Sequence, residues 1–249
     1  MKLKVLGFCA SPRKGNSLYL LEQALDAVEK RAAYHGVDVE IKTCSIRGKK
    51  LSGCVMCQGC MKDGICVIKD DFKELQDLWL DADVVLYSVP VYHMGVPAQL
   101  KAFFDRLGNS MFGRYRALYP GEIDKAPKPL KVIGCITQGI HIFSGQEHTM
   151  TQVLNHTLIS GCIPVVGDLW EAYIGSGGWT SGNENRNALE EQVQQGGEDA
   201  NIVLRSSISL AQRAIDMAVI VRNGCVGTKT IREDKTYTPY FNDLVGTEK

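Results

Sequence analysis

The chain has 249 residues, of which 45% are apolar and 22% are charged, and 28 basic side chains balance 28 acidic ones. This composition supports a sizeable core and excludes general disorder, while zero net charge argues against nucleic acid or an anionic membrane as the main partner. No apolar run approaches the roughly 18 residues of a spanning helix and the apolar N-terminal stretch is too short for a signal peptide, so we expect a cytoplasmic protein with reduced thiols.

Apolar, β-branched runs alternate with longer amphipathic stretches along most of the chain. Buried parallel strands are continuous apolar runs, and the helices between them show a 3.6-residue period. The pattern predicts strands at 3–9, 37–46, 83–90, 129–139 and 163–174 and helices at 17–34, 71–81, 98–108 and 146–161. Strands that alternate with helices in this way predict an α/β protein with a parallel sheet covered on both faces.

The region after the fifth predicted strand lacks this alternation. A polar stretch rich in glycine and asparagine, at 175–197, is expected to separate the sheet from a final helix. In that helix apolar residues recur at helical spacing, at Leu204, Ile208, Ala211, Ile215 and Val219. We predict one domain at 1–222, with a cysteine-rich insert at 51–68, and a C-terminal arm at 223–249; the long connection at 112–128 has no assigned role.

The loop "CASPRKGNS" follows the first predicted strand, and in parallel sheets ligands bind beyond the carboxyl ends of the strands. Ser11, Gly15, Asn16 and Ser17 let backbone N–H groups converge on an anion at a helix N-terminus, and Arg13 can add charge. The dinucleotide and P-loop signatures are absent from this loop. The loop therefore predicts a site for a single phosphate, with an ordinary capped turn as the alternative.

Two later loops lie at the same edge of the predicted sheet. "SVPVYHMGVPAQLKAFFDR" (88–106) follows the third strand, and "TQGIHIFSGQE" (137–147) follows the fourth. A flavin needs a phosphate cradle, a flat apolar or aromatic platform and backbone donors near its ring. The three loops together favour a flavin site.

Four cysteines stand in thirteen residues, "CVMCQGCMKDGIC", at Cys54, Cys57, Cys60 and Cys66. Four thiolates suit a [4Fe–4S] cluster or a tetrahedral structural zinc, but zinc sites usually split their ligands into two separated pairs. The spacing favours a cluster; metal-free thiols, zinc and a disulfide pair are the alternatives. The strand cysteines elsewhere are expected to pack in the core. Asp70 and Asp71, after the insert, predict only the start of a helix.

The ordered set "GFCASPRKGNS", "CVMCQGCMKDGICVIKDD", "ADVVLYSVPVYHMGVPAQLKAFFDR" and "TQGIHIFSGQE" resembles the NADPH-dependent FMN reductase superfamily, nearest the iron–sulfur flavoproteins, over about 3–175. The resemblance implies a flavodoxin-like, doubly wound, five-stranded parallel sheet in the order 2-1-3-4-5 with a C-terminal extension. It also implies FMN, a [4Fe–4S] cluster on the four cysteines, and a homodimer or homotetramer with flavin near the interface.

The resemblance assigns roles to residues of all three loops. The FMN phosphate would be held by Ser11, Arg13, Asn16, Ser17 and Leu18. The ring and ribityl chain would be lined by Pro90, Val91, Tyr92, His93, Met94 and Gly95 and flanked by Thr137, Gln138 and Gly139. Tyr92 and His93 are the candidate catalytic residues, because they can contact the ring or a substrate.

Three functions follow from these assignments. The first is an FMN-dependent oxidoreductase with a [4Fe–4S] cluster, which passes electrons between a one-electron donor such as ferredoxin, or NAD(P)H, and a small-molecule acceptor. The second is a metal-free NAD(P)H-dependent FMN, quinone or azo reductase. The third is a flavodoxin-like electron carrier, which is disfavoured because flavodoxins are usually strongly acidic and this chain has a pI of about 6.9.

Overall fold

A parallel sheet forms the middle layer of the molecule. The computed structural model describes residues 2–118, 121, 129–170, 173–234 and 236–237. Five strands lie in the order β2-β1-β3-β4-β5, and a sixth, β6, pairs with β4. Their bounds are β1 Lys2–Cys9, β2 Asp38–Ser45, β3 Val84–Pro90, β4 Val132–Gly139, β5 Ile163–Pro164 and β6 Ser176–Trp179. The predicted fold class and strand order are confirmed.

Helices cover both faces of this sheet. One face packs against α1 (Asn16–Tyr34), α5 (Ala188–Gln194) and α6 (Glu198–Gly227), and the other against α2 (Phe72–Asp81), α3 (Ala98–Leu118) and α4 (Gln146–Ile159); α7 (Lys229–Glu233) follows α6. Each face has its own apolar core, because both sides of a parallel strand are buried. Within the described ranges, no helix has the length and apolar character needed to cross a membrane.

The fifth predicted strand, 163–174, is wrong over most of its length. Only Ile163 and Pro164 pair with β4, and Trp170 is 81% exposed. The chain returns to the sheet as β6, inside the stretch expected to be a polar separator. A Cβ at Gly177 would lie 2.7 Å from Met150 Cε, and one at Gly178 would lie 2.5 Å from Val203 Cγ2. A side chain at position 178 would therefore collide with Val203 where α6 packs against this strand, and glycine weakens any strand pattern in a sequence.

Two helices are longer than the sequence pattern predicts. The helix expected at 98–108 continues to Leu118, so the first part of the unassigned connection belongs to α3, and residues 119–120 and 122–128 lie outside the described residues. The final predicted helix is present as α6, which runs through residue 222 to Gly227. The division between a domain at 1–222 and an arm at 223–249 stays a prediction, and residues 235 and 238–249 of that arm lie outside the described residues.

The buried side chain of His156 makes the free energy of unfolding depend on pH in the acid range. Its ring is buried in the core and stacks on Phe104, with centroids 3.9 Å apart. Burial lowers the pKa of His156 to about 3, whereas a histidine in the unfolded chain titrates near 6.5. As pH falls from 6.5 towards 3 the unfolded state binds a proton that the native state does not, so stability is lost; the loss between pH 7 and pH 5 is about 2 kcal/mol.

We expect His156→Phe to remove this part of the pH dependence. The measurement is the free energy of unfolding in urea at pH 7 and pH 5, compared with the wild type. His148→Gln, at an exposed position of the same helix, is the control and should keep the wild-type slope. An unchanged slope in His156→Phe would contradict the assignment.

Candidate functional site

The three predicted loops line one cavity beyond the carboxyl ends of β1, β3 and β4. Its volume is about 480 Å³, including the open mouth. The structure brings together ten of the predicted residues there, namely Ser11, Arg13, Gly15, Asn16, Ser17, Pro90, Val91, Tyr92, Gln138 and Gly139. Thr180 and Asn183, which the sequence pattern did not indicate, line the same cavity.

Five other predicted residues do not belong to the described lining of this cavity. Leu18 packs against the core under α1. His93 and Met94 are exposed at the tip of a turn, and Gly95 faces the Gln152 side chain. Thr137 is buried, and its hydroxyl donates to the Gln146 carbonyl at 3.4 Å. Their direct roles towards a flavin stay predictions.

The first loop has the features of an anion cradle. The amides of Asn16 and Ser17 open α1, where no carbonyl of the same helix can accept from them. The Ser11 hydroxyl donates to the Arg13 carbonyl at 2.8 Å, which folds the loop over the start of the helix. The exposed Arg13 side chain and the helix dipole both favour negative charge at this position.

A segment near α5 clamps this loop from the other side. Asn16 Nδ2 donates to the Asn185 carbonyl at 3.3 Å, and the Leu189 amide donates to Asn16 Oδ1 at 3.0 Å. A Cβ at Gly15 would lie only 2.5 Å from the Arg186 carbonyl oxygen. Both polar atoms of the Asn16 side chain are therefore engaged within the protein, and this residue would meet an anion through its backbone N–H.

The third loop is joined to both neighbours. Gln138 Nε2 donates to Ser17 Oγ at 3.4 Å, and the Gln138 carbonyl accepts from the Val91 amide at 2.8 Å. Beyond β4, the Thr180 amide donates to the Gly139 carbonyl at 3.1 Å. This last bond places the 180–183 turn in the cavity wall. The turn follows β6, so its place in the wall depends on the pairing of β6 with β4. No periodicity in the sequence predicts that pairing.

The second loop ends in a tight turn at Tyr92. The amides and carbonyls of Tyr92 and Gly95 exchange hydrogen bonds of 2.8 and 3.0 Å. His93 and Met94, between them, adopt φ values of +48° and +65°. Such left-handed conformations cost free energy for residues other than glycine and cluster at ligand sites. The turn holds the half-exposed Tyr92 side chain at the cavity.

The four predicted cysteine ligands line a second cavity, of about 370 Å³ including its mouth. All four are free thiols, and a 3-10 turn at Gly59–Met61 carries Cys60. Met56 and Gln58, between the first three cysteines, have φ values of +52° and +62°. In the part of the chain that the structure describes, no group of three or more His, Cys, Asp or Glu side chains is arranged to hold a metal ion.

Nitrogen donors surround the sulfurs of this cysteine cavity. The Met56 amide and Asn109 Nδ2 donate to Cys54 Sγ at 3.4 and 3.6 Å, and Arg106 Nη2 donates to Cys66 Sγ at 3.3 Å. Hydrogen bonds to sulfur are one means by which proteins tune thiolate-held iron–sulfur clusters. The four cysteines of this cavity match a [4Fe–4S] cluster in ligand type and number, although in the described residues their sulfurs are not gathered around a single metal-ion position.

Arg106 and Asp70 form a buried ion pair beneath the cysteine cavity, which the sequence pattern did not indicate. Their side chains are 1% and 8% exposed, with Nη1 and Oδ2 2.7 Å apart. Asp70 also accepts from the Phe72 amide at the start of α2, as predicted, and from the Ser52 amide at 2.9 Å. The Asp70 carboxylate therefore accepts hydrogen bonds both from the start of α2 and from the N-terminal end of the insert.

The chain is similar to a family of reductases and to several flavoproteins. The NADPH-dependent FMN reductase family matches residues 3–159. An iron-sulfur flavoprotein of Archaeoglobus fulgidus is 35% identical over 71% of this chain and 82% of its own length. One of Methanocaldococcus jannaschii is also 35% identical, over 67% of this chain and 77% of its own length.

Solved structures support the fold. RosB superimposes with a TM-score of 0.59 at 14% identity, over 94% of this chain and 88% of that one. A flavone reductase superimposes with a TM-score of 0.55 at 20% identity, over 86% of this chain and 64% of that one. The family match spans all three of these loops, and the chain therefore belongs to the NADPH-dependent FMN reductase family and is a flavin-dependent oxidoreductase.

Proposed function

We propose that this protein uses FMN together with a [4Fe–4S] cluster to pass electrons from a one-electron donor, such as ferredoxin, or from NAD(P)H to a small-molecule acceptor. The observation that carries the proposal is the presence of two separate cavities in one chain. One has an anion cradle at its end, and the other is lined by four free cysteines. The names of the relatives support the pairing of flavin with iron and sulfur.

The flavin cavity would bind FMN from its two ends. Ser11, Arg13 and the amides of Asn16 and Ser17 would hold the phosphate. The Pro90–Tyr92 loop and the Gln138–Gly139 loop would orient the ring, and the 180–183 turn would exclude water from one side. Bound FMN supplies both hydride and one-electron chemistry, and the protein supplies position and electrostatics.

Tyr92 and His93 remain the proposed catalytic residues. Tyr92 lines the cavity, and His93 is exposed beside it on a strained turn. From these positions they would contact a substrate that enters through the open mouth. The proposed setting is a cytoplasmic homodimer or homotetramer without nucleic-acid or membrane partners.

An iron-free NAD(P)H-dependent reductase is the second candidate. It is favoured by the family description, because residues 3–159 match a family of NADPH-dependent FMN reductases. In that case the four cysteines would remain thiols.

Anaerobic purification separates the two candidates. The measurements are the flavin, iron and acid-labile sulfide contents and the absorption spectrum. Bound FMN with about four irons per chain is expected for a protein that holds one cubane. FMN without iron, with rapid bleaching by NADPH, would favour the iron-free reductase, and a protein without FMN would contradict both.

Gly15→Ala should weaken FMN binding at least tenfold. The new Cβ would lie 2.5 Å from the Arg186 carbonyl oxygen, so either the anion cradle or the clamping segment has to move. A displacement of backbone donors by about 1 Å is enough to lose charge-assisted hydrogen bonds, each worth about 1.5–3 kcal/mol. Quenching of FMN fluorescence on binding to the apoprotein measures the affinity. Gly224→Ala, where a Cβ meets nothing within 4 Å, is the control and should bind as the wild type does.

A further inference from the structure

We propose that Arg106 is a positioning residue that keeps a fixed positive charge against Cys66 and thereby raises the reduction potential of the iron–sulfur cluster. The inference rests on the proposed cluster and concerns what this chain's own residues do towards it.

The guanidinium of Arg106 joins the two ends of the cysteine insert. Nη1 donates to the Ser52 carbonyl at 3.2 Å, before the first cysteine. Nη2 donates to Cys66 Sγ and to the Ile68 carbonyl, both at 3.3 Å, at the end of the insert. The group also lies over the Phe72 ring, 4.2 Å from its centroid. Its position is thus set from several sides, and its charge cannot move away from Cys66.

Asp70 fixes the orientation of this guanidinium. Its two carboxylate oxygens accept from Nη1 at 2.7 and 2.8 Å, which leaves Nη2 for Cys66 and Ile68. Arg106 Nε is buried, and among the described residues it has no hydrogen-bond partner. An arginine that served only to pair with Asp70 would gain from using Nε as well, because fork-shaped bidentate pairs are the stronger arrangement. The observed geometry leaves Nε unpaired and directs Nη2 to the sulfur.

A purely structural role does not require a charge at this buried position. Buried ion pairs can often be replaced by apolar side chains without loss of stability, because desolvation of the charges offsets their attraction. The donors to Cys54 are neutral groups, a backbone amide and the Asn109 carboxamide, whereas Cys66 receives a charged donor. Arginine also stays charged throughout the accessible pH range.

The charge favours the reduced form of the cluster. A cluster held by these cysteines would take up one electron from the one-electron donor on reduction, with no bond made or broken, and the negative charge of the site would rise by one. A positive charge held in contact with one ligand sulfur stabilises the more negative state, so the potential rises. The carboxylate of Asp70 acts in the opposite direction, from the far side of the guanidinium.

Two substitutions with opposite expected signs test this inference. Arg106→Gln removes the positive charge and should lower the midpoint potential, by about a tenfold change in the ratio of reduced to oxidised cluster, or about 59 mV for one electron. Arg106→Lys retains the charge and should recover most of that change. Asp70→Asn removes the negative charge and should raise the potential. Lys101→Gln, an exposed charge on the same helix, is the control and should leave the potential unchanged.

The measurement is an anaerobic redox titration of the purified proteins, followed by optical and electron paramagnetic resonance spectra. Structural damage would move the potentials of Arg106→Gln and Asp70→Asn in the same direction, so equal signs or unchanged potentials would overturn the inference. If Arg106→Gln does not fold, the midpoint potential of Asp70→Asn is the test. A raised potential supports the proposal, and an unchanged or lowered potential contradicts it. A wild-type protein that binds FMN but no iron would overturn the proposed cluster and this inference together.

Discussion

Replacing Cys57 by alanine should remove most of the iron from the protein and leave its FMN content unchanged. Cys57 is one of the four free cysteines that line a single cavity, and its replacement would take away one of the four thiolate ligands of the proposed cubane. The cysteine cavity and the flavin cavity have no lining residue in common. Loss of one ligand set should therefore leave the other intact.

The measurements are iron, sulfide and FMN contents after anaerobic purification. Cys225→Ala is the matched control, because this thiol is buried in α6 and does not belong to the cysteine cavity. Iron should stay at the wild-type level in the control and fall severalfold in Cys57→Ala. Equal iron in both variants would show that Cys57 is not a ligand, and a parallel loss of FMN would show that the two sites depend on each other.

The convergence of the three loops on one cavity is the part of the candidate site that the sequence predicts best. In a parallel sheet the loops after consecutive strands must meet at one edge. Ser11, Tyr92 and Gln138 come from three separate loops, and each lies within a few residues of a strand end. Their convergence follows from strand periodicity together with the strand order that the family resemblance implies, without knowledge of any side-chain contact.

The contributions of Thr180 and Asn183 could not be predicted in this way. They lie just beyond β6, whose sequence "SGGW" lacks both the alternation and the β-branched residues of a strand. Its glycines lie against Met150 and Val203, a contact that only the folded chain creates. Here tertiary packing overrides local preference.

Arg106 was missed for a different reason. In a helical sequence pattern, an arginine at position 106 cannot be told from one that is exposed to solvent. Its neighbours in sequence do not indicate that it is buried. Its partners Ser52, Ile68 and Asp70 all lie on the flanks of an irregular insert. The path of such an insert depends on its packing against α3. The insert has no sequence periodicity that would predict this path.

The contact between the cysteine insert and α3 supports a second prediction. Gly113→Ala should displace the insert from α3 and reduce the iron content of the protein severalfold. A Cβ at position 113 would meet backbone atoms of the insert, 1.8 Å from the Cys60 carbonyl oxygen and 2.9 Å from Met61 Cα. Backbone atoms cannot rotate out of the way as a side chain can, so the contact must open. Overpacking of this kind costs about 1–3 kcal/mol or more.

Gly108→Ala on the same helix is the control. A Cβ there meets nothing within 4 Å, and alanine in a helix interior is about 1 kcal/mol more favourable than glycine. The two variants make the same chemical change in one helix, five positions apart, and only one of them touches the insert. Iron content and thermal unfolding of the anaerobically purified proteins measure the result, with FMN content as the check on the flavin site. If Gly113→Ala retained full iron, the contact between α3 and the Cys60 turn would not hold the cysteines together, and the four thiols would have to be organised by the bound group itself.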